Sequence, residues 1–256
     1  MSLAQPKRIL IIKLRHHGDV LLSTPVVDAL KTRFPDCEID MLVYAGTGQL
    51  IADNPQIAQI FTIDRNWKKL GVFKQLACEK NLFSKLKARD YDWAFNLSDQ
   101  WRAAVIAKLC ARCSVGLDCI KRDGFWWRFC HDFINHELDT SHHIVENQLN
   151  ILAPLIQPED VADAKVRLWV AQDARESMRQ KLREQGWSGE DYVLLHPGAR
   201  WHFKCWEDGK NAAIVQLLLN SGQNVVLTAS PDTVEQYMLQ EIIGRLNIPE
   251  GRKVYV

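Results

Sequence analysis

The chain has 256 residues, 47% hydrophobic and 25% charged, the profile of a soluble globular protein long enough for one large domain or two of ordinary size. Its 32 Lys and Arg against 31 Asp and Glu leave a formal net charge of +1. That balance excludes nucleic-acid binding by bulk electrostatics, so any anionic ligand must be held by a local cluster of cations. The apolar runs are far too short to span a bilayer, and "MSLAQPKR" lacks the apolar core of a signal peptide, so a cytoplasmic protein is expected.

"KRILIIKL", residues 7–14, is a continuous run rich in β-branched residues, the mark of a strand buried on both faces. A helix is predicted over 19–34, closed by Pro35. "CEIDMLVY" and "IAQIFTID" read as the second and third strands, with a short helix or turn between them. Residues 70–89 interleave lysines with leucines and phenylalanines at helical spacing, the pattern of an amphipathic helix. "YDWAFNLS" is a fourth strand, 100–112 a helix and "SVGL" a short fifth strand. Such alternation is the signature of an open parallel sheet with helices on both faces.

Residues 118–140 break the rhythm, with an aromatic- and arginine-rich "KRDGFWWRFCHDF" of no clear period, and a helix is predicted over 142–156. The polar stretch "QPEDVADA" is a boundary candidate, which divides the chain into domains of residues 1–164 and 165–256. Alternation then restarts: "KVRLWV" as a strand, a helix over 173–185, "DYVLLHPG" as a strand, a helix over 206–220, "NVVLTA" as a strand, a helix over 231–246, and a last strand "RKVYV". About 90 residues are few for a doubly wound domain, so the second one is expected to be incomplete and the chain truncated.

Three stretches could carry chemistry. "HHGDVLLSTP" sits at the carboxyl end of the first strand, where open α/β sheets bind ligands. Gly18 allows a sharp turn and close approach of a ligand. Asp19 has two readings: a cap of the following helix, or a general base that takes a proton from a sugar hydroxyl. No G-x-G-x-x-G fingerprint is present. "HPGARWHFKCWED", residues 196–208, again joins a strand to a helix. Gly198 exposes backbone amides there, and Arg200 and Lys204 are cations beside a helix start, a cradle for a diphosphate, although the same stretch also reads as a charged surface loop with packing aromatics. The third set is basic: Arg65, Lys68 and Lys69 after the third strand and Arg102 after the fourth, placed to line one crevice and to suit an acidic or phosphorylated ligand. Seven cysteines without framework spacing fit reduced thiols, and Cys110–Cys113, at the end of a helix, read as packing thiols rather than a redox pair. The histidines show no metal spacing, and His142–His143, opening a helix, read as structural or capping.

The first and second stretches together carry a resemblance. "ILIIKLRHHGDVLLSTPVVDALKTRFPDCEIDMLV" resembles the opening of the ADP-heptose:lipopolysaccharide heptosyltransferases, and "LLHPGARWHFKCWEDGKNAAIVQLL" resembles the start of their donor-binding domain; the variants are most similar to the heptosyltransferase III branch. The resemblance implies a GT-B fold, two Rossmann-like domains facing a cleft, the first binding the acceptor and the second the nucleotide sugar. It implies inverting transfer of heptose from ADP-L-glycero-D-manno-heptose to the inner core of lipopolysaccharide, with no metal and no further cofactor. Asp19 matches the family's catalytic aspartate in its Gly18–Asp19 motif, Lys204 the lysine on the donor phosphates, and Gly198, Ala199 and Arg200 the adjoining donor loop. Arg65, Lys69 and Arg102 fall roughly where the family keeps basic acceptor contacts. A later donor motif, Asp-Ser/Thr-x-Pro-x-His, does not occur before Val256, so part of the donor site is expected to be missing. The alternatives are a GT-B transferase with another nucleotide sugar or acceptor, and a non-catalytic sugar-nucleotide or lipopolysaccharide-binding fragment. A lipid-anchored acceptor further suggests peripheral contact with the cytoplasmic face of the inner membrane, and Phe125, Trp126, Trp127 and Phe129 with their basic neighbours are the candidate contact, against the alternative that these rings pack under a loop.

Overall fold

The computed structural model describes residues 5–117, 124–135, 141–199 and 201–256. The chain divides into two compact units, Met1–Val170 and Ala171–Val256. The first unit is built on a six-stranded parallel sheet in the order β3-β2-β1-β4-β5-β6, from β1 (Arg8–Lys13), β2 (Glu38–Tyr44), β3 (Gln59–Ile63), β4 (Tyr91–Asn96), β5 (Ala111–Leu117) and β6 (Phe133–Asn135). This is the strand order of dinucleotide-binding folds, and its direction reverses between β1 and β4.

The middle of β1, Ile9 to Ile12, is apolar because both faces of the sheet are covered. Ile9 and Ile11 join Ile39, Met41, Val43, Trp93 and Phe95 in the core beneath α2 (Thr24–Arg33). Leu10 and Ile12 face the opposite way, into the core formed with α3 (Val72–Lys87) and α4 (Trp101–Cys110). Cys110 and Cys113 are both buried, and desolvation pushes both thiols up to about 11, so they are packing thiols. His143 does cap α6 (Ile144–Leu149), its ring nitrogen accepting from the Val145 N–H at 3.3 Å.

Three expectations change. The single helix over 19–34 is two: α1 (His17–Leu21) and α2. Pro25 has no N–H to give Leu21, and the Thr24 hydroxyl takes that carbonyl instead at 2.8 Å. The stretch after β5 contains α5 (Phe125–Phe129) and β6, elements too short to leave a period. The predicted strand "KVRLWV" forms no ladder and belongs to the first unit. It is held by side chains of α2: Lys165 N–H donates to Asp28 at 3.2 Å, Arg167 N–H to Thr24 at 3.2 Å, and the Arg167 guanidinium pairs with Asp28 at 3.0 Å. Burial opposes ionisation of Asp28, but these bonds and one from Gln56 outweigh it and hold its carboxyl below the usual range.

The second unit carries a three-stranded parallel sheet, β7-β8-β9, from β7 (Tyr192–Leu195), β8 (Asn224–Leu227) and β9 (Val254–Tyr255). α8 (Asp208–Asn220) and α9 (Thr233–Gly244) cover one face through Val215, Leu219, Met238 and Ile242 packed on Val225 and Leu227. Leu182 of α7 (Gln172–Glu184) packs with Val226 and Tyr255 in a separate cluster.

Candidate functional site

At the carboxyl ends of β1, β2, β3 and β4 the first unit has a pocket of about 280 Å³, lined by Leu14, Arg15, His16, Tyr44, Arg65, Lys68, Gln100 and Arg102. It lies where the strand order reverses, since Leu14 follows β1 and Gln100 follows β4. Hydrogen bonds knit the two strand ends together. Leu14 N–H donates to the Ser98 hydroxyl at 2.7 Å, Gln100 donates to the Leu14 carbonyl at 2.8 Å, and the Tyr44 hydroxyl donates to Gln100 at 2.6 Å. Four cations converge on this wall. The Arg65 guanidinium lies 4.1 Å over the Tyr44 ring, which fixes its plane. Arg15 pairs with Asp99 at 3.3 Å and Arg102 with Glu79 at 2.5 Å, while Lys68 is exposed on the turn after β3. Two acids against four cations leave a net positive pocket suited to an anionic group.

Asp19 follows directly on this wall, half-buried in the first turn of α1. Its carboxylate accepts from the His16 N–H at 3.3 Å, so the helix-capping reading is realised. Gly18 is expected from the sequence to turn the chain sharply; instead it lies inside α1 and its φ is not positive. It leaves open space instead, since a Cβ there would meet nothing within 4 Å. Beneath them Lys13, the last residue of β1, is only 4% exposed and donates to the Leu97 carbonyl at 3.1 Å. Desolvation pushes its ammonium down to about 8, and the nearby Asp19 carboxylate works in the opposite direction.

In the second unit the predicted donor loop follows β7. Gly198 is glycine for a visible reason: a Cβ would lie 2.5 Å from a carboxylate oxygen of Glu235. Glu235, in the first turn of α9, accepts from the Ser230 N–H at 2.7 Å, and a His196 ring nitrogen meets the Thr228 hydroxyl at 3.1 Å, so the ends of β7 and β8 are tied around the loop. Ala199 is half-buried. Lys204 ends a short 3-10 turn, exposed, its ammonium 6.0 Å from the centre of the Phe203 ring. Arg200 lies outside the described residues.

The structure thus brings Arg65 and Arg102 together, and Gly198 and Lys204 onto one loop. Lys69 is not among the pocket's lining residues; Lys68 takes its place. Arg15, Tyr44, Gln100 and Lys13 were not singled out by the sequence, although a lysine inside the apolar run of β1 was a readable signal. Trp127 is also corrected. It is 1% exposed, donates through its indole N–H to the Leu117 carbonyl at 3.2 Å and meets Trp101 edge-on at 5.6 Å, so it is a core residue. Phe125, Trp126 and Phe129 are exposed.

Residues 80–250 match the family glycosyltransferase family 9 (heptosyltransferase). The chain is 34% identical over 237 residues to lipopolysaccharide heptosyltransferase 3 of Escherichia coli, covering 92% of this chain and 68% of that protein. Among solved structures, a glycosyl transferase family 9 protein from Veillonella parvula superposes with a TM-score of 0.81 at 19% identity over 99% of this chain and 70% of the other. The E. coli heptosyltransferase WaaC with ADP-2-deoxy-2-fluoro heptose does so with a TM-score of 0.70 at 18% identity over 97% and 76%. The chain spans about two-thirds of the length of its curated relative. Profile, sequence and fold agree: this chain belongs to glycosyltransferase family 9, the heptosyltransferases.

Proposed function

We propose that the intact protein transfers heptose from ADP-L-glycero-D-manno-heptose, with inversion, to a hydroxyl of the lipopolysaccharide inner core on the cytoplasmic face of the inner membrane. The observation that carries this reading is the four-cation pocket at the switch point of the first sheet, whose wall runs through Leu14, Arg15 and His16 straight into Gly18 and Asp19. An anionic group of the acceptor sits against Arg15, Arg65, Lys68 and Arg102. Asp19 takes the proton of the acceptor hydroxyl as its oxygen attacks the anomeric carbon. The bond to the diphosphate breaks on the opposite side, and ADP leaves with the electron pair. The donor belongs to the loop after β7, where Lys204 and Arg200 neutralise the diphosphate in place of a metal ion and the backbone amides of Gly198 and Ala199 donate hydrogen bonds to it. The relative solved with an ADP-heptose analogue supports this donor, and the curated relative's lipopolysaccharide substrate supports this acceptor.

The test is a transfer assay with ADP-heptose beside UDP- and GDP-sugars, on the wild type and on the Arg65→Ala/Lys68→Ala double variant. Product forms with ADP-heptose alone. The double variant raises the KM for acceptor about tenfold or more, the effect of losing one or two charge-assisted contacts, and leaves the donor KM in place. A raised donor KM with an unchanged acceptor KM assigns the pocket to the nucleotide sugar and overturns this reading.

A further inference from the structure

The first unit exposes an apolar face that the transfer chemistry does not use. On α3, Val72, Phe73 and Leu76 point outward, Phe73 being 89% exposed. On α4, Trp101, Val105 and Leu109 recur every four residues along the outward side. Between the two helices runs a groove of about 550 Å³ with a nearly wholly apolar lining that includes Leu82, Phe83 and Ile106. The face continues onto α5, because Trp127 of α5 packs on Trp101 at 5.6 Å and clusters with Ala104 of α4. There Phe125, Trp126 and Phe129 contact one another at 5.4 to 6.4 Å between ring centres and stand 60–73% exposed. A contiguous apolar surface of this kind marks an interaction site.

Charge identifies the occupant. Residues 65–87 hold seven Lys and Arg (Arg65, Lys68, Lys69, Lys74, Lys80, Lys85, Lys87) and one acid, Glu79, a net +6 in a chain whose total is +1. That one acid is already paired with Arg102. A second copy of this chain docked face to face would bring the same positive rim against itself. An anionic bilayer supplies both things the face lacks: apolar depth for the rings and negative headgroups for the rim. Arg102 lines both the apolar groove and the basic pocket, so the two are adjacent. We propose that the α3–α4–α5 face of the first unit seats on an anionic lipid bilayer, with Phe73, Leu76, Val105, Leu109, Trp126 and Phe129 entering the interface and the lysines of 68–80 on its headgroups, which sets the basic pocket at headgroup level. This surface extends the contact expected from the sequence, Phe125, Trp126, Trp127 and Phe129, onto α3 and α4 and loses only the buried Trp127; it does not rest on the transferase reading, because vesicle binding needs neither donor nor acceptor.

The experiment is flotation with vesicles of phosphatidylcholine alone and of equal parts phosphatidylcholine and phosphatidylglycerol. The wild type floats with the anionic vesicles at low salt, stays behind with the neutral ones, and is released as ionic strength rises toward ~1 M, where the Debye length is about 3 Å. Phe73→Ser/Leu109→Ser, at two exposed positions, lowers the bound fraction about tenfold, while Leu217→Ser on the exposed side of α8 leaves it unchanged. Lys74→Glu/Lys80→Glu removes the salt-sensitive part and keeps the proposal testable if the apolar variant fails to fold. Indifference of the wild type to anionic vesicles at low salt overturns the proposal. So does wild-type binding in both double variants, or a dimer in velocity sedimentation that Phe73→Ser/Leu109→Ser dissociates, which would give the face to a second copy.

Discussion

Lys13 holds a charge in a place that water does not reach, and its stability consequence can be worked out with sign. Its ammonium is pushed down to about 8 from the ordinary 10.5, chiefly by desolvation. Below pH 8 both folded and unfolded chains carry the proton, and the folded chain bears the full cost of the buried charge. Between pH 8 and 10.5 the unfolded state binds more protons than the folded one, so this group's contribution to stability rises with pH. The shift corresponds to about 3 kcal/mol. Lys13→Met should therefore hold its largest advantage over the wild type at pH 7, with the gap closing by up to about 3 kcal/mol at pH 10.5 in urea unfolding. The buried thiols and Tyr91 titrate in both proteins and cancel in the difference. A gap independent of pH would mean that the ammonium is solvated. Other residue-scale features were legible to different degrees. The places of Asp19, Gly198 and Lys204 in the fold were legible from sequence because each lies in or just after a strand-to-helix turn. Lys68 and Lys69 could not be told apart, because neighbours in a 3-10 turn point about 120° away from each other and no sequence period fixes that phase.

Among the elements, β2 shows how the sheet's other end is secured away from the site. Asp40 is fully buried near its start and accepts from Arg89 at 2.7 and 3.2 Å and from the Tyr91 hydroxyl at 2.7 Å. Arg89 is held above its ordinary value by these bonds, and burial with the Asp40 bond raises the Tyr91 hydroxyl. Asp40→Ala strands the Tyr91 hydroxyl and leaves the Arg89 guanidinium with its Glu38 partner at 2.8 Å, so it should cost about 1–3 kcal/mol, the range for a buried polar group left without its hydrogen bond. Thermal unfolding measures the loss, and at a temperature where the variant is folded its KM values should match the wild type. A loss below about 1 kcal/mol would show that water replaces the carboxylate. At this scale the first five strands of the first sheet were readable, since buried strands write apolar runs into the sequence. "KVRLWV" misled because its alternation is real but no neighbouring strand meets it, and Asp28 and Thr24 of α2 hold its backbone instead. α5 and β6, of five and three residues, are shorter than a pattern can register.

On the scale of the whole molecule, strand order decides where chemistry can occur. The strand order reverses between β1 and β4, and the pocket lies at that end of the sheet, where Gln100 is hydrogen-bonded to Leu14 and the lining residues come from four different strand ends. Sequence order alone indicated the carboxyl ends of the strands as the site; which cations meet there depended on pairings of residues 50 to 86 positions apart, as Arg65 with Arg15 and Gln100 with Leu14. In the proposed function Asp19, beside this pocket, is the base of a heptosyl transfer. The direct measurement is turnover of Asp19→Asn in the intact protein with ADP-heptose and core acceptor, alongside ADP binding by calorimetry. Turnover should fall about 10²-fold or more with ADP affinity unchanged, because the carboxamide still accepts from the His16 N–H but cannot take the proton. Turnover within a few-fold of the wild type would contradict it and leave Asp19 a helix cap.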